Sequence, residues 1–298
     1  MNQSYREEPF FFACQGEQLL GILARPLVVA PVGVLIIVGG PQYRVGSHRQ
    51  FTQLARRLGD EGVATLRFDH RGIGDSTGAR RSFEDIALDI RTALDELVAH
   101  APEVRRVVLW GLCDAASAAC EYAPSDPRVA GLILLNPWVR TEAGEAGAYL
   151  RHYYARRLME RAFWRKVGRG ELELSRSLGS LCANIARAFG GKRASPLPPD
   201  QMSGVADRAA ARGSLPDRML GALESFTGRT LVILAGNDLT AAEFRDLVAS
   251  SRFWTKVIAA RAAKIEEIAE ADHTFSSAAW RERVEQATSS WLRAEFGT

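Results

Sequence analysis

The sequence is short of the features that most readily declare a protein's chemistry. Only four cysteines occur in 298 residues, at positions 14, 113, 120 and 182. No two form a C-x-x-C pair, and none stands at metal-ligand spacing from the five histidines. Neither a disulfide framework nor a metal site is expected, and no cofactor is predicted. Net charge is nearly absent: 38 Lys plus Arg against 35 Asp plus Glu leaves +3, too little to point to nucleic acid. Long apolar runs are missing too. The longest, Val28 to Val38, is broken by Pro31 and Gly33, and is too short to span a bilayer. The amino-terminal stretch through Cys14 lacks the basic start and apolar core of a signal peptide. A soluble protein of a reducing, cytoplasmic compartment is the expectation. The 26 Gly and 12 Pro have no period, and 47% of residues are hydrophobic, which excludes disordered and collagen-like chains.

What is present is an alternation of strands and helices. Phe10 to Ala13 and Leu19 to Leu23, joined by a turn at Gln15-Gly16-Glu17, read as a β-hairpin. Val34 to Val38 is a continuous, β-branched run of the kind covered on both faces in a parallel sheet. A helix follows with Phe51, Leu54, Ala55 and Leu58 on one face, then a strand from Val63 to Phe68. Ser82 and Asp85 suggest a capping box for a second helix carrying Phe83, Ile86, Ile90, Ala93, Leu94 and Leu97. Strands at Arg106–Trp110 and Val129–Leu135 flank a helix of small residues. The alternation stops at 140, where helical patterns take over, and resumes with strands at Thr230–Leu234 and Ile265–Ala269 and a last helix through Trp280, Val284 and Trp291. This predicts an α/β fold with a mostly parallel sheet and helices on both faces. Its core comprises 1–139 and 227–298, split by a mainly helical cap or lid at 140–226.

Three strand ends carry the candidate chemistry. Gly111-Leu112-Cys113-Asp114-Ala115 joins a strand to a helix. A nucleophile held at such a tight turn needs small neighbours two residues before and after it, and Gly111 and Ala115 meet that need. The helix amino terminus behind Cys113 favours a thiolate. Taken alone, Cys113 is as readily a buried, inert thiol. Its partners change that balance: Asp238 follows one later strand and His273 another, in the order nucleophile, acid, histidine. Parallel strands bring their carboxyl ends to one edge, so the three side chains can converge there. Asp272 is a poorer acid, because it adjoins the histidine in sequence, and Asn136, after the preceding strand, is no carboxylate.

The loop Gly39 to Arg44 occupies the place of an oxyanion hole. Pro41 has no N–H, so the amides of Gln42 and Asp114 are the expected donors. Tyr43, His48 and Trp138 are candidate substrate contacts, although a capping or exposed role competes for His48. The loop Asp69-His70-Arg71-Gly72-Ile73-Gly74-Asp75-Ser76 reads as structural, tethered through Asp69 and Arg71. Its glycines have the wrong spacing for a nucleotide loop.

On these residues the chain resembles the α/β-hydrolases over nearly its whole length, the D-x-R-G-x-G-x-S loop at 69–76 included. More narrowly, Val38 to Arg49, Gly111 to Ala115, Leu135 to Thr141 and Ala162 to Lys166 resemble the exosortase A system-associated hydrolase 1 family, where cysteine likewise replaces serine. That resemblance implies a bacterial protein linked to exopolysaccharide production and the exosortase sorting system, with no established substrate. A more distant likeness is to dienelactone hydrolases, from whose compact form the insertion departs.

The reading that follows is acyl transfer from an ester or thioester, an amide being disfavoured because its nitrogen must be protonated to leave. An acyltransferase with an acceptor other than water fits equally. A binding or scaffolding module of the polysaccharide machinery is the rival of another class. A third idea is membrane-surface binding through Arg151 to Arg165, where Leu150, Tyr154, Leu158 and Ala162 share a face; a lid helix explains the same pattern more simply. Residues 140–226 hold 15 basic against 9 acidic residues, and the rest of the chain 23 against 26. A basic lid on a slightly acidic core suggests an anionic substrate.

Overall fold

The computed structural model describes residues 4–140 and 213–298. Eight strands form one sheet in the order β1-β2-β4-β3-β5-β6-β7-β8. Strands β1 (Tyr5–Cys14) and β2 (Glu17–Pro26) make the expected hairpin, extended at both ends, with β2 antiparallel to β4 (Ala64–Phe68). From there every pairing is parallel, through β3 (Val32–Ile37), β5 (Arg106–Leu112), β6 (Val129–Leu135), β7 (Arg229–Ala235) and β8 (Ala262–Ile268). This is the α/β-hydrolase fold.

The two sheet faces follow from the period of two along each strand. Val34, Ile36, Val108, Trp110, Ile133, Leu231 and Ile233 share a buried cluster with Phe51, Leu54 and Leu58 of α1 (Gln50–Asp60) and Trp291 and Leu292 of the last helix (Ala278–Phe296). The Trp110 indole N–H donates to Thr288 Oγ1 at 3.4 Å, so that buried polar group has its partner. Helices α2 (Ala87–His100) and α3 (Asp114–Tyr122) pack on strands β3, β4, β5 and β6. Coverage of both faces explains why β3 is buried at all six positions.

Two expectations shift. Ser82 does cap, accepting from the Glu84 N–H at 3.4 Å, but it opens only one 3₁₀ turn at Phe83–Asp85. The α2 helix starts at Ala87, so Phe83 is half-buried and off its apolar stripe, while Ile86, Ile90, Ala93, Leu94 and Leu97 are buried as expected. Second, most of the expected insertion, including the Arg151–Arg165 stretch and Cys182, lies outside the described residues. Its last part is a helix, α4 (Leu215–Ser225), grouped from Pro216 onward with the core. Met219 is buried there with its carbonyl facing the Cys120 thiol at 3.7 Å, and Arg218 pairs with Glu121 at 2.6 Å and with Glu84. Three helices complete the chain: α5 (Leu239–Ser250), α6 (Arg252–Arg261) and α7, the last helix. Among the described residues no helix is long and apolar enough to cross a membrane.

The loop after β4 is tethered as its sequence suggests. Asp69 is fully buried and accepts from the backbone N–H of Arg44 at 2.7 Å and of Asp75 at 3.0 Å, and it pairs with the Arg44 guanidinium. A Cβ at Gly74 would lie 2.0 Å from the Asp69 carboxylate, and Gly74 has φ +53°, so glycine is required. Arg71 makes a two-pronged bond to Asp89, Nε at 2.9 Å and Nη2 at 2.8 Å, and both residues are buried. Asp89→Ala leaves the guanidinium buried without its charge partner. A loss of about 3–5 kcal/mol in urea unfolding is expected, and a loss below about 1 kcal/mol would show that the pair does not hold the loop.

Candidate active site

The turn between β5 and α3, at the sheet's carboxyl edge, is strained. Cys113 has φ +63° and ψ −124°, a conformation that a residue with a Cβ adopts only when its surroundings force it. The forcing contacts are identifiable. The Cys113 N–H donates to Leu135 O at the end of β6 (2.8 Å), and the Cys113 carbonyl accepts from Ala116 N–H (3.0 Å) and Trp138 N–H (3.2 Å). Gly111 is needed because a Cβ there would fall 2.6 Å from the Ala115 carbonyl. The thiol is partly exposed, whereas the Cys14 and Cys120 thiols are buried; burial pushes the Cys120 thiol far up, to where it is inert.

His273 lies between Cys113 and Asp238. Its Nδ1 is 3.0 Å from Asp238 Oδ2, and Cys113 is near enough to act on its imidazole as well. Asp238 first and Cys113 second outweigh burial and raise the imidazole to about 10. Asp238 is itself held in place: it is the N-cap of α5, and Oδ2 also accepts the Ala241 N–H at 3.0 Å. One carboxylate therefore serves as helix cap and histidine partner. Asp272 does neither. Burial raises its carboxyl, but bonds from Ser276 and Thr274 prevail and hold it below the usual range, so it folds its own loop.

Asn136 is the residue whose role the sequence did not reveal. It is fully buried, with φ +42°, a left-handed conformation that asparagine tolerates better than most. Its Nδ2 donates to the His273 carbonyl at 3.0 Å, and its Oδ1 accepts the Ala235 N–H at 2.8 Å. It thus joins the loop bearing His273 to the end of β7, three residues before Asp238. An asparagine directly after a buried strand and before a proline was the available signal.

The oxyanion loop departs from expectation. The Gln42 N–H turns back to Gly39 O at 3.3 Å, and its side chain accepts the Ser47 N–H at 3.1 Å. Pro41 at the third position of that turn and Gly40 at φ +60° direct the chain this way. The amide facing α3 is Gly40's, which donates to Asp114 Oδ2 at 2.9 Å. No acceptor for the Asp114 N–H occurs among the described residues outside its own helix. Glycine at 39 is imposed by closeness: a Cβ would lie 2.0 Å from Asp114 Oδ1 and 2.8 Å from Ala115 N.

The candidate substrate contacts differ in placement. Tyr43 is 45% exposed, with Arg44 over its ring at 5.7 Å. His48, at φ +53°, sits in a 3₁₀ turn near enough to Asp272 to help lower its carboxyl. Trp138 is half-buried, and its carbonyl accepts the Ser117 hydroxyl at 2.6 Å. His70 is buried and pushed down by burial, so it stays neutral. Among the described residues no cluster of three or more His, Cys, Asp or Glu could hold a metal ion.

Comparison with known proteins agrees with this architecture. Residues 30–181 match the family model described as serine aminopeptidase, S33. No curated protein sequence matches the chain. Among solved structures, the esterase Pf2001 of Pyrococcus furiosus is similar at a TM-score of 0.63 and 15% identity, over 99% of this chain and 95% of that one. Est1E of Butyrivibrio proteoclasticus, solved with ferulic acid bound, gives 0.62 and 17% over 97% and 100%. An α/β serine hydrolase homologue from Coxiella burnetii gives 0.55 and 15% over 96% and 97%.

Replacing Asn136 by Ala leaves the Ala235 N–H buried without a partner and frees the His273 loop. A loss of about 1–3 kcal/mol in chemical denaturation is expected. Asn136→Asp should be no better, since a carboxylate cannot donate to the His273 carbonyl; unchanged stability in both would remove Asn136 from the framework of the site.

Proposed function

The chain belongs to the family described as serine aminopeptidase, S33, and from that premise we propose that it is a hydrolase of ester or thioester bonds that uses Cys113 where the family's description names serine. His273 is its acid–base group and Asp238 the orienting carboxylate. The observation that carries this reading is His273 with Nδ1 3.0 Å from Asp238 Oδ2, its imidazole raised by Asp238 first and by the strained, partly exposed Cys113 second.

The chemistry follows from the electrostatics. With the imidazole raised to about 10, the proton resides on His273 at neutral pH. The cysteine then attacks as a thiolate beside an imidazolium, at the amino end of α3 where the helix dipole favours the negative sulfur. Sulfur bonds to the acyl carbon and the carbonyl oxygen becomes an oxyanion, which the Asp114 amide can receive. As the tetrahedral adduct collapses, His273 gives its proton to the departing oxygen or sulfur. Water, deprotonated by the now neutral His273, attacks the thioester; collapse releases the acid and expels the sulfur as a thiolate beside the reprotonated His273. A thioester or activated ester suits a sulfur nucleophile better than an amide, because the competing leaving group must be at least as good as the thiolate.

Two finer elements belong to the same proposal. The motifs at 38–49, 111–115, 135–141 and 162–166 support a place in exopolysaccharide production beside the exosortase system. The net charge of +6 over residues 140–226 supports a lid that attracts an anionic substrate. A Michaelis constant that does not rise with salt would remove the second element.

Activity on a panel of p-nitrophenyl and acyl-CoA esters should fall by about 10³-fold or more in Cys113→Ala and His273→Ala. Equal turnover in wild type and both variants would overturn the assignment. For an alkyl ester, whose alkoxide must be protonated to leave, kcat/KM should hold into alkaline solution and fall as His273 loses its proton near 10. Asp238→Asn removes the largest cause of the raised value, so the alkaline limb should move down toward ordinary histidine values. An unmoved limb would show that Asp238 does not act through His273.

A further inference from the structure

The loop after β3 lies against the turn after β5, and its Gly40 amide is already occupied. The Gly40 N–H donates to Asp114 Oδ2 at 2.9 Å, while Asp114 Oδ1 accepts the Ala115 N–H at 3.0 Å. The carboxylate is pressed so closely on the loop that no Cβ fits at Gly39. A carboxylate on a backbone N–H is a charge-assisted bond, stronger than one to a neutral carbonyl. The Gln42 amide is no substitute, since it is engaged with Gly39 O. A resting anion therefore sits on the amide of the loop after β3 that faces the start of α3.

We propose that the Asp114 side chain is a gate on the oxyanion hole: its carboxylate stands in for the oxyanion on the Gly40 amide and must leave it before an acyl substrate reacts. This rests on the reading of Cys113 as nucleophile. Asp114 is only half-buried, so solvent can take the displaced carboxylate. Once it has moved, the substrate carbonyl oxygen takes its place on the Gly40 amide. Attack then forms the S–C bond, the carbonyl π pair moves onto oxygen, and the new anion is held by the amides of Gly40 and Asp114. The carboxylate remains a like charge near that oxygen, so the wild-type enzyme is selective for acyl groups that draw the carboxylate aside and slow on small neutral esters.

The test compares wild type, Asp114→Ala and Asp114→Asn in two reactions of the same sulfur. Hydrolysis of p-nitrophenyl acetate passes through an oxyanion, and alkylation by iodoacetamide does not. One missing oxyanion donor is worth about 10²–10³-fold in rate. Asp114→Ala should therefore raise kcat/KM for the ester by about tenfold or more beyond any change in the Cys113 alkylation rate. Asp114→Asn, which keeps the shape and an uncharged acceptor, should gain less. Both variants are checked for native unfolding midpoints, so that a misfolded Ala variant leaves the Asn variant to decide. An ester rate that is unchanged or lower in the folded variants, with Cys113 alkylation intact, overturns the gate and makes Asp114 a brace for the loop. Wild-type Cys113 that alkylates no faster than in His273→Ala overturns the triad reading instead, and the gate with it.

Discussion

The arrangement at the sheet edge depends on one strained residue. Cys113 can hold φ +63° and ψ −124° only because its N–H and carbonyl are tied to β6, to Trp138 and to the first turn of α3. Those ties in turn require that nothing larger than hydrogen stand at Gly111 and that the loop after β3 come in without a side chain at Gly39. The strain is balanced by hydrogen bonds and close packing drawn from four segments of the chain. Its result is a sulfur presented at the top of the sheet, at the amino end of a helix, with the loop after β3 beside it.

The rest of the site uses residues for more than one purpose. Asp238 caps α5 and holds His273, so the position of the histidine is linked to the start of a helix. Asn136 bonds both to the backbone of His273 and to the end of β7, the strand that leads to Asp238. Asp69 receives the Arg44 backbone and side chain, so the loop after β4 steadies the loop after β3. Each of these polar groups is well buried and each has its partners, which is the condition for such a network to position groups accurately.

Much of the fold was legible in the residues because parallel strands covered on both faces leave a plain trace. Val32 to Ile37 and Leu231 to Ile233 are apolar throughout, and the helices between them carry their apolar residues three and four apart. The order cysteine, aspartate, histidine, each after a strand, was equally readable, since it needs only the knowledge that parallel strands end at one edge. The structure differs from the sequence reading where the decisive contacts are backbone ones. Excluding Pro41 pointed to Gln42, but the turn formed by Gly40 and Pro41 folds the Gln42 amide inward and turns out Gly40's. Phe83 fitted a helical stripe by spacing, and a 3₁₀ turn moved it off that stripe.

The sequence by itself determined the class of fold, the alternation of elements, the tethered loop after β4 and the candidate residues Cys113, Asp238 and His273. Those follow from composition, periodicity and chain order, which are local or one-dimensional properties. The tertiary structure alone decided that the Asp238 carboxylate serves both α5 and His273, that Asn136 joins two strand ends, and that the Asp114 carboxylate lies on the Gly40 amide. Such contacts link residues from 35 to 137 positions apart, or depend on which way a single peptide faces, and no local pattern encodes either.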